Sequence, residues 1–221
     1  MYDWNFDIVL SNKWLFAQGA WVTLKITFFA VIFGTVAGTI LGIGRSSKSP
    51  WIRLPVGVYV ELFLALPILV LLIWIYYCGP LFLSVRFSGF WTAVLTLALT
   101  LSAFVAEIVR SGIISVPTGH IEAARVLGMN KTQAFARIVL PQAIRVMMPP
   151  LLSMYIATLK MSSLASVIAV YELLHSAQSL IMTSFRPLEI YTTVAAGYVV
   201  LVLPLSMLTR RFESSKKWEL L

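Results

Sequence analysis

The chain has 221 residues, of which 59% are hydrophobic and 12% charged, and its mean hydropathy is +0.89. Soluble domains carry about 25% charged residues, so this composition excludes a soluble globular protein. The net charge of +8 would suit a nucleic-acid partner, but the basic residues follow a membrane topology, and no such partner is predicted.

Separate apolar stretches of about 20 residues predict an all-α integral membrane protein, because each could cross a hydrocarbon core of roughly 30 Å as a helix. The runs are continuous rather than alternating, which argues against a β-barrel. The first seven residues hold two acids and no base, unlike a cleavable signal. We predict an extracytoplasmic segment, 1–19, a single transmembrane domain, 20–209, and a tail, 210–221. The five predicted transmembrane helices are 20–43, 55–78, 89–109, 144–170 and 188–209.

Basic residues cluster in alternate connections of this topology. Most of the 17 lysines and arginines fall on one side: Arg45, Lys48, Arg53, Arg110, Arg125, Lys131, Arg137, Arg145, Arg210, Arg211, Lys216 and Lys217. Only Lys13, Arg86 and Arg186 fall opposite. The positive-inside rule then places the N-terminus outside and the C-terminal tail in the cytoplasm.

Two helices carry local signals. Gly34, Gly38 and Gly42 repeat at a spacing of four, which predicts a face for close helix packing, although glycine is also common in membrane helices generally. Glu107 and Arg110 lie one turn apart and are predicted to pair at the cytoplasmic end of the third helix.

The fourth predicted helix is irregular. Pro149 and Pro150 remove backbone donors and are expected to kink or delay it. Lys160, Ser162 and Ser163 then interrupt an apolar run. Polar groups at this depth are costly in lipid, so they must face protein or a wet cavity.

The third connection, 111–143, is long, since most connections between helices span about 2–8 residues. Residues 122–128 form a predicted helix that ends on Gly128 in a left-handed cap. A second helix from Asn130 or Lys131 to Val139 would stop at Leu140 and Pro141. Two short amphipathic helices outside the bilayer indicate a docking surface for a soluble partner; the alternative is a solvated loop.

Residues 122–141 read EAARVLGMNKTQAFARIVLP, which resembles the cytoplasmic signature of binding-protein-dependent ABC permeases. The signature requires E-A-A, three residues, G, nine residues and I-x-L-P. The matching positions are Glu122, Ala123, Ala124, Gly128, Ile138, Leu140 and Pro141. Such a match is improbable by chance, so the segment is identified as the family's coupling element.

Other motifs resemble the polar amino-acid branch of that family. They are Gly19 with Thr23 and Leu24, residues 59–63 with Pro67, and residues 106–112, 159–164 and 185–191. The chain departs from the branch at Leu64, where arginine is usual, at His120, where glutamine is usual, and at Met161, where an acid is frequent.

The resemblance implies a type I ABC importer permease fold with cytoplasmic coupling helices. It also implies an ATP-binding cassette ATPase dimer, a second permease subunit, identical or related, and an extracytoplasmic solute-binding protein. This chain has no G-x-x-x-x-G-K-[ST] phosphate loop, so it is predicted not to be an enzyme, and ATP and Mg²⁺ would be bound by the ATPase. Glu122 is then a candidate for a polar contact or a helix-end role, while Ala123 and Ala124 allow close approach and Gly128 the turn.

An amino-acid substrate needs donors for its carboxylate and acceptors for its ammonium. Lys160, Ser162 and Ser163 are candidate donors and Glu61 is a candidate acceptor. Alternatively, Glu61 and Lys160 are structural and pair at helix seams. Met161 disfavours a strongly cationic substrate, but the sequence leaves open which amino acid or opine-like compound is moved.

Two other classes are weighed against this one. An ion-driven secondary transporter acting without an ATPase usually has ten or more spans in two repeats, and no repeat is visible here. An intramembrane enzyme would need a nucleophile, carboxylate pair or metal-ligand cluster on neighbouring helices, and the sequence offers none.

Overall fold

The computed structural model describes residues 3–83 and 88–214, and side chains for 3–82 and 88–209. Arg86 lies outside the described residues, as do residues 215–221 of the predicted tail. All regular elements of the described residues are helical. They are α1 (Asp7–Ser11), α2 (Lys13–Arg45), α3 (Pro50–Ala65), α4 (Ile68–Tyr77), α5 (Gly79–Leu83), α6 (Gly89–Ile114), α7 (Thr118–Val126), α8 (Lys131–Ala134), a π segment (Phe135–Val139), α9 (Leu140–Met161), a 3₁₀ segment (Ser162–Ile168), α10 (Leu173–Ser184) and α11 (Pro187–Ser214).

Four helical segments of the described residues are each long and apolar enough to cross a bilayer: Lys13–Arg45, Gly89–Ile114, Lys131–Ile168 and Pro187–Thr209. Pro50–Ala65 and Ile68–Phe82 pass the same test only together and are bent by 102° at the break between them, so the described residues hold four candidate spans, or five with this pair as one broken span. The predicted all-α membrane fold is confirmed. The predicted border between 19 and 20 falls inside α2, which begins at Lys13.

The second span is broken rather than continuous over 55–78. Leu66 and Pro67 are extended, with ψ of 128° and 126°, so α3 ends at Ala65 and α4 begins at Ile68. The proline ring disfavours the helical conformation for the residue before it, and proline itself cannot donate a helix hydrogen bond. One proline therefore splits a run that is uniformly apolar in sequence.

The fourth span begins earlier and ends differently than predicted. α9 starts at Leu140 rather than 144 and runs through Pro149 and Pro150, so these prolines do not delay it. The φ that proline imposes is helical, and the cost is limited to the lost donors and a crowded carbonyl. The last part of the span, Ser162–Ile168, is a 3₁₀ helix that ends at Ala169 with φ of 56°.

The chain divides into two compact units. The first comprises Met1–Ile32, Pro67–Ala98 and Tyr155–Met207. Its main core cluster joins segments of α2, α4, α6 and the 3₁₀ segment: Ile26, Ala30, Leu72, Ala93, Val94, Leu97, Ala165, Ile168 and Val170. Because lipid tails are as apolar as these side chains, close packing rather than exclusion from water holds the helices together.

The N-terminal segment is attached to the start of α11 within this unit. The backbone N–H of Asn5 donates to Glu189 Oε1 at 3.0 Å, and Arg186 Nη1 donates to the Asp3 carbonyl at 2.7 Å. Arg186 also pairs with Glu189, whose side chain is fully buried. Residues 3–5 are therefore ordered against the end of a span.

The second unit comprises Phe33–Leu66, Leu99–Met154 and Leu208–Leu221. Its glycines bring α2 against α6, as their spacing predicts. A Cβ on Gly34 would lie 2.9 Å from the Leu101 Cβ, and one on Gly38 would lie 2.6 Å from the Ser102 carbonyl oxygen. Real Cβ atoms do not approach so closely, so any larger residue at either position would push the helices apart. The predicted packing face is confirmed.

Helix α3 packs on the same α6. Val60, Ala103 and Ala106 are completely buried between the two helices. The Tyr59 hydroxyl lies 2.7 Å from the Ser102 hydroxyl and so adds a polar contact to the seam. Small residues on α6 thus let both α2 and α3 approach it within this unit.

Candidate functional site

Residues 117–129 form a capped helix in the predicted long connection. Helix α7 begins at Thr118, after the extended Pro117, and ends at Val126. Gly128 has φ of +77°, a conformation that favours glycine. Its N–H donates to the Arg125 carbonyl at 2.9 Å, and the Met129 N–H donates to the Ala124 carbonyl at 3.0 Å. These two bonds form a Schellman motif, so the left-handed glycine cap is confirmed.

The two alanines of the signature face different ways. Ala124 is 2% exposed, whereas Glu122 and Ala123 are exposed in the middle of α7. Glu122 therefore does not lie at a helix end, which removes one of its two predicted roles. Val126 and Leu127 are 88% and 77% exposed, so the outward face of α7 ends in apolar side chains.

The following helix starts with a signal that the sequence analysis missed. Asn130 Oδ1 accepts from the Gln133 N–H at 2.9 Å, and Gln133 Oε1 accepts from the Asn130 N–H at 3.0 Å. This reciprocal pair is a capping box, and the N-x-x-Q pattern could have located it.

The predicted helix stop at Leu140 and Pro141 is wrong. The chain continues through the π segment into α9, and the Leu140 N–H donates to the Phe135 carbonyl, one residue further back than in an α-helix. Pro141 has no N–H and falls in the first turn of α9, where it is tolerated. Ile138 is half-buried, while Leu140 and Pro141 are exposed. The I-x-L-P part of the signature therefore lies at the joint between the connection and the fourth span.

A side-chain bridge joins α7 to that joint. His120 Nδ1 lies 2.9 Å from Gln142 Oε1, and Gln142 Nε2 donates to the Ile138 carbonyl at 3.0 Å. The bridge places His120, one of the departures from the family pattern, in a definite structural role. No local pattern indicated Gln142, because its partner is 22 positions away.

A charged cluster lies at the ends of α2, α3 and α6. Arg110 Nε donates to Glu107 Oε1 at 3.0 Å, and Arg110 Nη2 contacts the same oxygen. This pair was predicted, but Arg45 joins it: Arg45 Nε lies 3.5 Å from Glu107 Oε2, and Arg45 Nη2 lies 3.5 Å from Glu61 Oε1. Glu61, the predicted substrate acceptor, thus belongs to an ion network of the second unit.

Beside this cluster is an open cavity of about 400 Å³. Its lining includes Arg45, Arg53, Leu54, Val58, Glu61 and Arg110. The Arg45 side chain is 18% exposed and that of Glu61 is 75% exposed. The cavity therefore presents both charge signs to the space it encloses.

The predicted donors of the fourth span lie in the first unit. Lys160 is exposed. Ser162 is fully buried and its hydroxyl donates to the Leu159 carbonyl at 2.7 Å, while the Ser163 hydroxyl donates to the Lys160 carbonyl at 2.9 Å. Both hydroxyl protons are thus engaged by carbonyls of their own helix turn.

Glu172 is a buried acid that the sequence analysis did not single out. Its carboxylate accepts from the Leu174 and His175 N–H groups at 2.9 and 2.8 Å and from the Tyr198 hydroxyl at 3.0 Å. Burial raises the pKa of Glu172, and the two backbone hydrogen bonds partly offset that rise. The residue caps α10 and joins it to α11. No helix was predicted at 173–184, and glutamate is not among the residues preferred at N-caps, so no local signal indicated this cap.

Comparison with known proteins adds a family to this geometry. The family description "Binding-protein-dependent transport system inner membrane component" matches residues 30–217. The chain is 36% identical to the glutamine transport system permease protein of Escherichia coli K12 over 218 residues, covering 98% of each chain. It is 38% identical to the octopine transport system permease protein of Rhizobium radiobacter over 192 residues, covering 83% of this chain and 78% of the relative.

A solved structure, that of an amino acid ABC transporter with histidines, is also similar. Its chain superposes with a TM-score of 0.89 at 34% identity, covering 97% of this chain and all of the other. The predicted ABC importer permease fold is confirmed.

Proposed function

Because the chain belongs to the binding-protein-dependent inner-membrane transport components, and is a permease subunit of an amino-acid ABC importer, we propose that residues 111–143 couple it to an ATPase. The observation that carries this proposal is the two-sided α7. Its Ala124 side packs inward, while Glu122, Ala123 and Val126 lie on an exposed surface of mixed polarity. A helix of this kind outside the candidate spans suits docking into a protein groove.

The His120–Gln142 bridge supports a route by which motion of α7 could reach α9. A displacement of α7 would be carried by a side-chain bridge to the start of α9, which continues into the fourth candidate span. Movement of an ATPase against α7 would then tilt a helix of the permease. Rigid-body motions of this type are a common basis of alternating access.

The family supports the proposed assembly, and the sequence itself contains no phosphate loop. An ATP-binding cassette dimer would bind ATP and Mg²⁺, a second permease subunit would complete the pathway, and an extracytoplasmic solute-binding protein would deliver the amino acid. The charge distribution of the connections supports an orientation with the N-terminus outside and the C-terminus in the cytoplasm. Substrate contacts by Lys160, Ser162 and Ser163 stay predictions. The hydroxyl protons of the two serines already have acceptors within their own helix turn.

Gly128→Asp tests the coupling proposal. A side chain at φ of +77° is strained and should break the Schellman cap, which would displace α7. We expect ATP-driven uptake into vesicles to fall at least tenfold at unchanged membrane levels. Gly119→Asp is the matched control, because a Cβ at Gly119 meets nothing within 4 Å and the residue has no positive φ. Normal uptake by the Gly128 variant would overturn the proposal.

A further inference from the structure

One face of α3 forms a wall of the charged cavity. Arg53, Leu54, Val58 and Glu61 follow the helical period, so they lie along one side of the helix. Arg45 and Arg110 contribute from α2 and α6, and all of these residues belong to the second unit. A volume of about 400 Å³ lies within the range of small-molecule sites, which is roughly 300–1,000 Å³.

The charged groups of the cavity are not equally available. Arg110 is engaged by Glu107 through two of its nitrogen atoms. Arg53 is exposed and makes no ion pair within the described part of the chain. Positive charge is therefore available at Arg45 and Arg53, while the negative charge that lines the cavity is that of Glu61.

Arg45 makes only long ion pairs, and one of its guanidinium nitrogen atoms has no hydrogen-bond partner among the described residues. Its distances of 3.5 Å to Glu61 and to Glu107 exceed the roughly 2.7–2.9 Å of a charge-assisted hydrogen bond. Its Nη1 atom is buried and has no hydrogen-bond partner among the described residues, and the same holds for Glu107 Oε2. Buried polar atoms normally have partners, because leaving them unsatisfied is costly.

We propose that this cavity binds the α-carboxylate and α-ammonium groups of the transported amino acid, an inference that rests on the function proposed above. The carboxylate accepts from the Arg45 guanidinium, and the ammonium donates to Glu61. Glu107, which also pairs with Arg110, acts as a positioning residue that holds the Arg45 guanidinium. A zwitterion inserted between Arg45 and Glu61 replaces one long ion pair with two charge-assisted contacts.

The mixture of charges specifies the ligand class. An anion without an ammonium group would meet the carboxylate of Glu61, and a cation without a carboxylate would meet Arg45 and Arg53. Leu54 and Val58 offer an apolar wall to the substrate side chain. The cavity therefore recognises the part that all α-amino acids share.

Functional-group deletion on both partners tests the inference. The probe is L-glutamine, bound to the complex of permease and ATPase in nanodiscs without nucleotide. Its competitors are L-glutamine α-amide, which lacks the carboxylate, and N-acetyl-L-glutamine, which lacks the ammonium. We expect the wild-type complex to bind L-glutamine at least tenfold more tightly than either analogue.

The variants should lose these preferences selectively. Arg45→Gln should reduce the preference over the amide to about twofold or less while keeping the preference over the acetyl compound. Glu61→Gln should do the reverse. Lys48→Gln is the matched control, because it removes an exposed positive charge that does not line the cavity, and it should keep both preferences. If Arg45→Gln does not assemble, Arg45→Lys keeps the charge but loses Nη1 and should weaken the preference over the amide.

Two results would overturn the inference: a wild-type complex that discriminates against neither analogue, or variants that weaken all three ligands equally, as a structural role would. Competition by inorganic phosphate as strong as by L-glutamine would indicate an anion site and would also overturn it. ATP-driven uptake separates the two proposals. If Gly128→Asp abolishes uptake while the cavity variants keep the wild-type ligand preferences, the coupling proposal stands. Only the proposal about the cavity is then overturned.

Discussion

Glu172 shows how one side chain can hold several segments of the first unit together. It caps α10 through two backbone N–H groups and accepts from Tyr198 of α11. Thr23 of α2 accepts from the Leu173 N–H at 3.2 Å beside it. A Cβ on Gly19 would lie 2.9 Å from the Leu173 Cα. The Gly19 and Thr23 motif therefore has a structural reason: it lets α2 approach the start of α10 and bind it.

Glu172→Ala should destabilise the protein by about 1–3 kcal/mol, because buried donors on α10 and Tyr198 lose their acceptor. Thermal unfolding in detergent measures the change as a lower midpoint. Asp7→Ala is the control: Asp7 is exposed and its side chain makes no hydrogen bond among the described residues, so we expect less than about 0.5 kcal/mol. Equal midpoints for the two variants would contradict the role given to Glu172.

The same residue gives a pH dependence of known sign. The pKa of Glu172 is raised in the folded state, so folding favours its protonated form. Its contribution is complete below the unfolded pKa of about 4.3 and is lost as the pH rises through the folded pKa. Glu172→Gln, which cannot titrate, should flatten this part of the stability profile above about pH 4. An unchanged slope would show that other groups cause the dependence.

At the scale of elements, the proposed coupling segment is one separate helix, α7, followed by a turn and by a second helix, α8, that runs on into α9. α7 ends in a glycine cap, α8 begins with a capping box, and the π segment passes the chain into α9 across Pro141. The wide π turn lets the helix continue although Pro141 cannot donate. The signature therefore combines an exposed helix, which is the proposed docking element, with the base of a candidate span.

The His120–Gln142 bridge makes this combination testable. His120→Ala and Gln142→Ala should each lower the amount of substrate transported per ATP hydrolysed by about fivefold, the equivalent of a hydrogen bond of roughly 1 kcal/mol. The double variant should be no worse than either single one. His120→Asn, whose amide can take the place of Nδ1, should restore coupling. Additive losses would show that the two residues act independently.

At the scale of the whole molecule, the chain supplies a helical membrane domain, and its sequence contains no nucleotide-binding loop. We expect uptake into vesicles to require ATP together with the ATPase, the solute-binding protein and a second permease subunit. Ionophores that collapse proton and sodium gradients should leave uptake within about twofold of its initial rate. Persistent uptake without ATP, abolished by an ionophore, would favour the ion-driven alternative.

The sequence by itself determined the membrane class, the glycine face and the Gly128 cap. These features depend on composition, on short-range periodicity or on one residue's conformational freedom, so they are visible locally. The family signature located the proposed coupling segment for the same reason, since its spacing lies within 20 residues.

Only the tertiary structure decided the break at Leu66 and Pro67, the continuous helix across Pro141, the His120–Gln142 bridge and the cavity around Arg45. Each of these depends on a choice that local sequence leaves open: a proline can end a helix or be accommodated within it, and an arginine can pair with an acid on any neighbouring helix. The bridge joins positions 22 apart and the Thr23–Glu172 contact positions 149 apart. Such partners are chosen by how helices pack, because the low dielectric of the interior makes every buried polar group depend on what lies beside it in space.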